Sequence, residues 1–212
     1  MPFTLRSPAV VSVLERLHTH ADEQDGPASQ GVRAREAAIG ERLAQEQRYE
    51  LYGEAPLAIT REVGQILYLL ALSSGARRIV EFGCSLGVST IYLAAALRDS
   101  GGGTLISSER HERKIVLAER NLADAGLGDL IEFRAGDALN TLSDIAAPVD
   151  LVFLAGRNDL YLPVLRLLEG SLSPGALAQR SLLRPSRRLS KPGVQEPVFC
   201  SHGAANWNPS CP

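Results

Sequence analysis

No apolar run in the 212-residue chain approaches the ~20 residues that cross a membrane, so no membrane partner is expected. Excess charge is also missing. The 22 Lys and Arg nearly balance the 24 Asp and Glu, and the formal net charge is −2. That excludes a global pull toward nucleic acid or anionic lipid. Cysteine is scarce: Cys84, Cys200 and Cys211 are odd in number and far apart, which points to a reducing cytoplasm. The N-terminal MPFTLRSPAVVSVLERLHTHADEQDG places acids soon after a short apolar patch and lacks a secretion-signal layout. What is present is an ordinary globular composition, 45% hydrophobic and 22% charged, at a length that suits one domain with a real core.

The chain opens as helix. Val10, Val11, Leu14 and Leu17 fall on one helical face. Asp25-Gly26-Pro27 predicts a break, and a charged helix is expected from about Ala34 to Tyr49. Thr60 is a good N-cap for a third helix, with Glu62 in its first turn and Ile66, Leu67 and Leu70 facing inward. From Ala76 strands and helices alternate. Strands are expected at 77–82, 104–108, 130–134 and 149–154, with helices at 89–98, 111–125, 138–145 and about 160–168. This rhythm predicts a Rossmann-like, doubly wound α/β fold, with a mainly parallel sheet, helices on both faces and an N-terminal helical extension.

A fifth strand should follow Gly175. Gln179 and Arg180 sit where a buried strand needs apolar residues, so the C-terminal strands are expected to be missing or altered. Residues 178–212 hold Arg180, Arg184, Arg187, Arg188 and Lys191 against one acid, Glu196, together with the only tryptophan, Trp207. They read as an irregular basic tail. Either a native tail for anionic partners or an out-of-frame end gives this pattern. The expected division is therefore a helical segment 1–59, a ligand-binding domain 60–177 and a tail 178–212.

The stretch VEFGCSLGVST (80–90) lies at the end of the first strand. Its G-x-S-x-G spacing matches a hydrolase nucleophile elbow, with Ser85 as the nucleophile and Asp150 or Asp159 with His202 as partners. No strands precede it to build an oxyanion hole. As a ligand turn, Gly83 and Gly87 remove two Cβ atoms, while Ser85, Ser89 and Thr90 offer hydroxyls beside a helix N-terminus. Glu109 closes the second strand, where an acid suits ribose hydroxyls. A dinucleotide fingerprint would want G-x-G-x-x-G, and position 85 is serine. Glu81 would repel a pyrophosphate but favour a ligand bearing ammonium and sulfonium groups, and S-adenosylmethionine is such a ligand. At the third strand tip, Asp137 serves equally well as a ligand contact or as an N-cap for the helix from Ala138.

VEFGCSLGVST (80–90), ISSE (106–109), ERKIVLAERNLADAGL (112–127), IEFRAGDAL (131–139) and VDLVFLAGRNDLYLPVLRLLE (149–169) together resemble the class I S-adenosylmethionine-dependent methyltransferases. Within them, the catechol/caffeoyl-CoA O-methyltransferase-like group is the nearest in pattern. The resemblance covers about Thr60 to Ala176. It implies that Glu81, Gly83, Ser89, Glu109 and Ala138, with Thr60 from the preceding helix, contact the cofactor. It also implies O-methylation of a small molecule. The chain departs from that pattern where metal-dependent members place an Asp, a Lys and an acidic pair. The corresponding places hold Ala155, Asn158 and ALAQRS (176–181), so no divalent metal is expected. Tyr161 matches a family aromatic and reads as packing. No catalytic residue is named. A second reading is a binding remnant that keeps the nucleoside pocket alone, with strand four exposed on one side unless a homodimer covers it.

Overall fold

The computed structural model describes residues 3–53, 55–181 and 200–201. Three helices lead: α1 (Pro8–Ile39), α2 (Gln45–Tyr52) and α3 (Arg61–Ser73). Then β1 (Arg78–Phe82), α4 (Val88–Asp99), β2 (Thr104–Glu109), α5 (Glu112–Asp124), β3 (Ile131–Ala135), α6 (Ala138–Thr141), β4 (Val149–Leu154), α7 (Tyr161–Leu168) and β5 (Leu172–Arg180) alternate. The sheet order is β3-β2-β1-β4-β5-β6, in which β6 is the two-residue strand Cys200–Ser201. β1 to β5 are parallel and β6 is antiparallel. The strand order reverses between β1 and β4, which makes the carboxyl end of β1 the place where such sheets hold ligands.

Alternation along the central strands sorts their side chains between two cores. Ile79, Leu105, Leu151 and Phe153 join one cluster with α1, α3 and α4. Val80, Phe82, Ile106, Val152 and Leu154 join the other with Leu142, Val164 and Leu168. Glu81 points to the same face as Ile79, because side chains two apart share a face. α4 carries much of the first core, with every residue from Val88 to Leu97 buried. Among the described residues no helix is long and apolar enough to cross a membrane.

Four expectations are corrected. α1 does not break at Gly26-Pro27 but runs on to Ile39 and stops at Gly40, whose φ is +74°. Pro27 cannot bond the carbonyl of Glu23, four residues back, but Glu23 is exposed, so water can take up that carbonyl. The charged helix expected over 34–49 is therefore two helices split by Gly40. On α3 the buried face is Gly64, Leu67, Tyr68 and Ala71, and Ile66 is 50% exposed.

The fourth correction is β5. It is a regular strand through Arg180, where an irregular tail is expected from 178. Its ladder to β4 is made by backbone groups and skips register once, between Val149 and Leu151. Gln179 is half-buried and Arg180 exposed, so neither has to enter a core. β4 is thus covered by a strand of its own chain, and the reason given for a homodimer falls away. The basic residues from Arg184 onward, with Trp207 and His202, lie outside the described residues.

Candidate functional site

The turn after β1 is held from several sides. The Gly83 N–H donates to Ser108 O at 2.7 Å, and the Gly87 N–H donates to Cys84 O at 2.8 Å. Gly83 has φ +89°, and a Cβ there would lie 2.7 Å from the backbone of Gly156. Gly87 caps α4 at φ +87°, and its Cβ would lie 2.8 Å from Leu122. Both glycines thus make room for the protein's own chain. Among the described residues Ser85 is one of two non-glycine residues with positive φ, at 49°. Its N–H donates to Glu109 Oε2 at 3.0 Å, and its hydroxyl donates to Pro56 O at 2.5 Å. That hydroxyl is committed to a carbonyl, and the His202 that the hydrolase reading needs is outside the described residues.

Glu81 is fully buried at the face shared with α4. Its Oε2 accepts from Thr90 Oγ1 at 2.7 Å and from Ser107 Oγ at 2.6 Å. Its Oε1 is buried and has no partner. Burial raises its pKa above the ordinary carboxylate range. The hydroxyls of Ser107, Ser89 and Thr90 around it work the other way, and the nearby charge of Glu109 raises it further. Ser89 is itself buried in the first turn of α4.

Glu109 is 7% exposed at the tip of β2. Besides the Ser85 N–H, it accepts from the His111 N–H at 3.0 Å and faces the Tyr49 hydroxyl at 3.5 Å. A carboxylate offers about four acceptor sites; the two N–H donors hold two, and the longer Tyr49 contact holds a third. Thr60 caps α3, accepting from the Val63 N–H at 3.4 Å. Asp137 caps α6, accepting from the Leu139 N–H at 3.0 Å, and Ala138 beside it is 3% exposed. The structure therefore gathers Glu81, Gly83, Ser85, Gly87, Ser89 and Glu109 around one turn. Asp137 and Ala138 stand at the next strand tip, joined through the bond from the Gly136 N–H to Glu109 O at 2.9 Å. Asp137 takes the capping role of the two that were open.

α2 brings residues that sequence reasoning missed. The Tyr49 ring stacks on His111 at 4.7 Å and 11°. Burial and the charge of Glu109 push its phenol pKa up. Glu46 pairs with Arg110, just beyond β2, and with Arg157, just beyond β4. A charged helix with no buried residue gave no periodic signal for this placement. The segment between α2 and α3 is tied down as well, since Asp25 accepts from the Leu57 and Ala58 N–H groups at 2.7 and 3.0 Å.

At the β4 tip, the Ala155 N–H donates to Phe82 O at 2.8 Å. Asp159, which opens the next turn, is held by Arg157 through two bonds of 3.1 and 2.6 Å. Among the described residues no group of three His, Cys, Asp or Glu is placed to hold a metal ion. A hard divalent cation takes several oxygen ligands, and at the β4 tip position 155 is an alanine with no side-chain oxygen. Tyr161 packs its ring edge-on to Phe82 at 6.4 Å, as expected of a packing residue.

A family model described as a methyltransferase domain matches residues 80–178. A catechol O-methyltransferase of Niastella koreensis is 27% identical over 161 residues, which cover 74% of this chain and 71% of that protein. A catechol O-methyltransferase of Mycobacterium tuberculosis is 39% identical over 100 residues, 46% of this chain and 44% of that protein. The chain thus spans less than half the length of the mycobacterial relative. Among solved structures, an O-methyltransferase from Streptomyces achromogenes in complex with S-adenosylmethionine is 34% identical, with a TM-score of 0.54 over 57% of this chain and 56% of that one. An O-methyltransferase from Bacillus cereus in complex with S-adenosylhomocysteine is 29% identical, with a TM-score of 0.55 over 63% of each chain.

Proposed function

We propose that the chain is a class I S-adenosylmethionine-dependent methyltransferase of the catechol and caffeoyl-CoA O-methyltransferase type, to which the comparisons point, and that it binds S-adenosylmethionine and methylates an oxygen of a small molecule without a divalent metal. The observation that carries the cofactor reading is Glu81, a fully buried carboxylate with one oxygen lacking any partner. A native protein rarely leaves such an atom unsatisfied, and an ammonium group is the donor it suits.

In this reading Glu81 holds the amino group of the cofactor. Thr90 and Ser107 fix the carboxylate's other oxygen, so the free one stays aimed. Ser89, with Gly83 and Gly87, shapes the wall of the turn. Glu109 receives the ribose hydroxyls on its spare acceptor site and on the one that the long Tyr49 contact gives up, and Ser85 contributes through the amide that positions Glu109. Ala138 and Asp137 border the base, and Thr60 closes the site from α3. When bound, the cofactor would supply a methyl group activated on sulfonium for transfer to the acceptor oxygen. The chain's part is to bind and orient the two partners. Ala155 and the Arg157 pairing of Asp159 at the β4 tip support the metal-independent reading.

Melting with and without S-adenosylhomocysteine tests this. Ligand at 100 times its dissociation constant adds about 2.7 kcal/mol. For a domain of this size that is a rise of roughly 5–10 °C. No shift at millimolar ligand refutes the proposal. A shift without turnover of any hydroxylated acceptor favours the binding-remnant reading.

A further inference from the structure

Two arginines at separate strand tips converge on one carboxylate that belongs to neither strand. Arg110 follows Glu109 at the end of β2. Arg157 follows Gly156, whose backbone lies against Gly83 of the β1 turn. Arg110 Nη1 lies 2.5 Å from Glu46 Oε1, and Arg157 Nη1 binds Glu46 Oε2. Each oxygen of that carboxylate has its own guanidinium, and the pair sits across the carboxyl end of the sheet beside the proposed methyl-donor turn.

The carboxylate occupying this seat is weakly anchored. It comes from α2, which buries none of its residues and is held at its start by the Gln47 side chain on the Ala44 N–H at 3.1 Å and to α1 by Arg48 on Glu36 at 3.6 Å. The other ties of α2 to the strand tips run through Tyr49, which lies over Arg110 at 5.3 Å, stacks on His111 and reaches Glu109 only at 3.5 Å. With α2 in this position, His111 Nε2 is buried without a partner. Arg157 has a second anchor besides Glu46. Asp159 grips Arg157 from the other side through two bonds, and the Tyr49 ring supports Arg110. A guanidinium fork held this way is ready for another carboxylate.

We propose that the methyl acceptor is a hydroxy acid, whose carboxylate replaces Glu46 between Arg110 and Arg157 while its hydroxyl faces the β1 turn. This deepens the methyl-transfer reading and rests on it for the role of the hydroxyl, but not for the carboxylate seat. The exchange conserves charge, because one carboxylate leaves as another enters. A guanidinium pair thus orients the acceptor in a site that lacks oxygen ligands for a metal.

The test uses the full chain, with and without saturating S-adenosylhomocysteine, and two probes of one shape: 4-hydroxybenzoate and neutral 4-hydroxybenzamide. Calorimetry should find the acid bound about tenfold or more tighter than the amide, as charge-assisted pairing predicts. Glu46→Gln removes the resident carboxylate and should tighten the acid several-fold, leaving the amide unchanged. Arg157→Gln should erase the preference, with Arg157→Lys retaining part of it. Melting curves confirm that each variant is folded. Equal binding of acid and amide by the parent overturns the proposal. So does a Glu46→Gln variant that is folded and binds the acid no better. A normal S-adenosylhomocysteine shift with no acid preference sinks this inference alone. Absence of that shift sinks the cofactor reading, while the preference in ligand-free protein still decides the seat.

Discussion

The carboxylate of Glu109 holds the backbone N–H of Ser85 at 3.0 Å, so the tip of β2 is tied to the turn that follows β1. The two elements are 24 residues apart in sequence and adjacent in the sheet. The acid assigned to ribose recognition is therefore also a strut of the turn itself.

Glu109→Gln separates these two duties poorly, and that is the point of making it. Both carboxylate oxygens face N–H donors, from Ser85 and from His111. An amide must turn its NH₂ toward one of them, leaving a donor against a donor. The expected loss is about 1–3 kcal/mol of stability. It should come with loss of the melting shift by S-adenosylhomocysteine. An unchanged shift contradicts the assignment.

Gly83→Ala should destabilise by about 2–3 kcal/mol, since it adds a Cβ at positive φ in contact with backbone that cannot move aside. In a thermal melt this is a fall of roughly 4–10 °C. Gly40→Ala is the comparison, with positive φ but nothing within 4 Å of the added atom, and it should cost clearly less. Equal costs would show that the approach to Gly156 is not tight.

Glu81→Gln tests whether stability was traded for ligand. Burial raises the folded-state pKa of Glu81 above its unfolded value. The folded chain therefore binds more protons than the unfolded chain between those two values, and stability falls as pH rises through that interval. A glutamine carries no charge to bury. The variant's stability relative to the parent should thus rise with pH across the interval and level off above it. Its affinity for S-adenosylhomocysteine should drop about 10–100-fold, the size of a charge-assisted bond. Urea melts at several pH values and calorimetry measure both, and a flat difference across pH removes the charge argument.

Tyr161→Phe asks about a second orphan. The Tyr161 hydroxyl is buried without a partner, and burial pushes its pKa up to about 12. Removing it leaves the edge-on packing with Phe82 in place. The variant should be as stable as the parent or up to about 1 kcal/mol more stable, because an unsatisfied hydroxyl is lost and no bond with it. A clear destabilisation would mean that the hydroxyl has a partner in solution, and the acceptor site would be the first place to seek it.

How legible was all this beforehand? The strands β1, β2 and β4 were readable because each is a short apolar run between turn residues, and β4 was placed to the residue. Glu81, the glycine turn and Glu109 were readable because a strand followed by glycines and a helix start is a local pattern. The continuity of α1 through Pro27 was not, since it depends on that residue facing solvent. The inward face of α3 is not legible at Ile66, because adjacent apolar positions do not say which of them packs inward.

The sequence by itself determined the alternation of strand and helix, the acids at two strand tips and the absence of metal-binding acids at positions 155 and 176–181. These are matters of residue type and spacing, settled within a few turns of chain. Only the tertiary structure decided that Glu46 and Tyr49 of α2 reach the tips of β2 and β4, that Gly83 yields to Gly156, and that β5 completes the sheet despite Gln179 and Arg180. Those contacts join residues up to 111 positions apart. Such pairings are fixed by how the elements pack and by which backbone hydrogen bonds are free, and neither quantity is written in a local stretch of side chains.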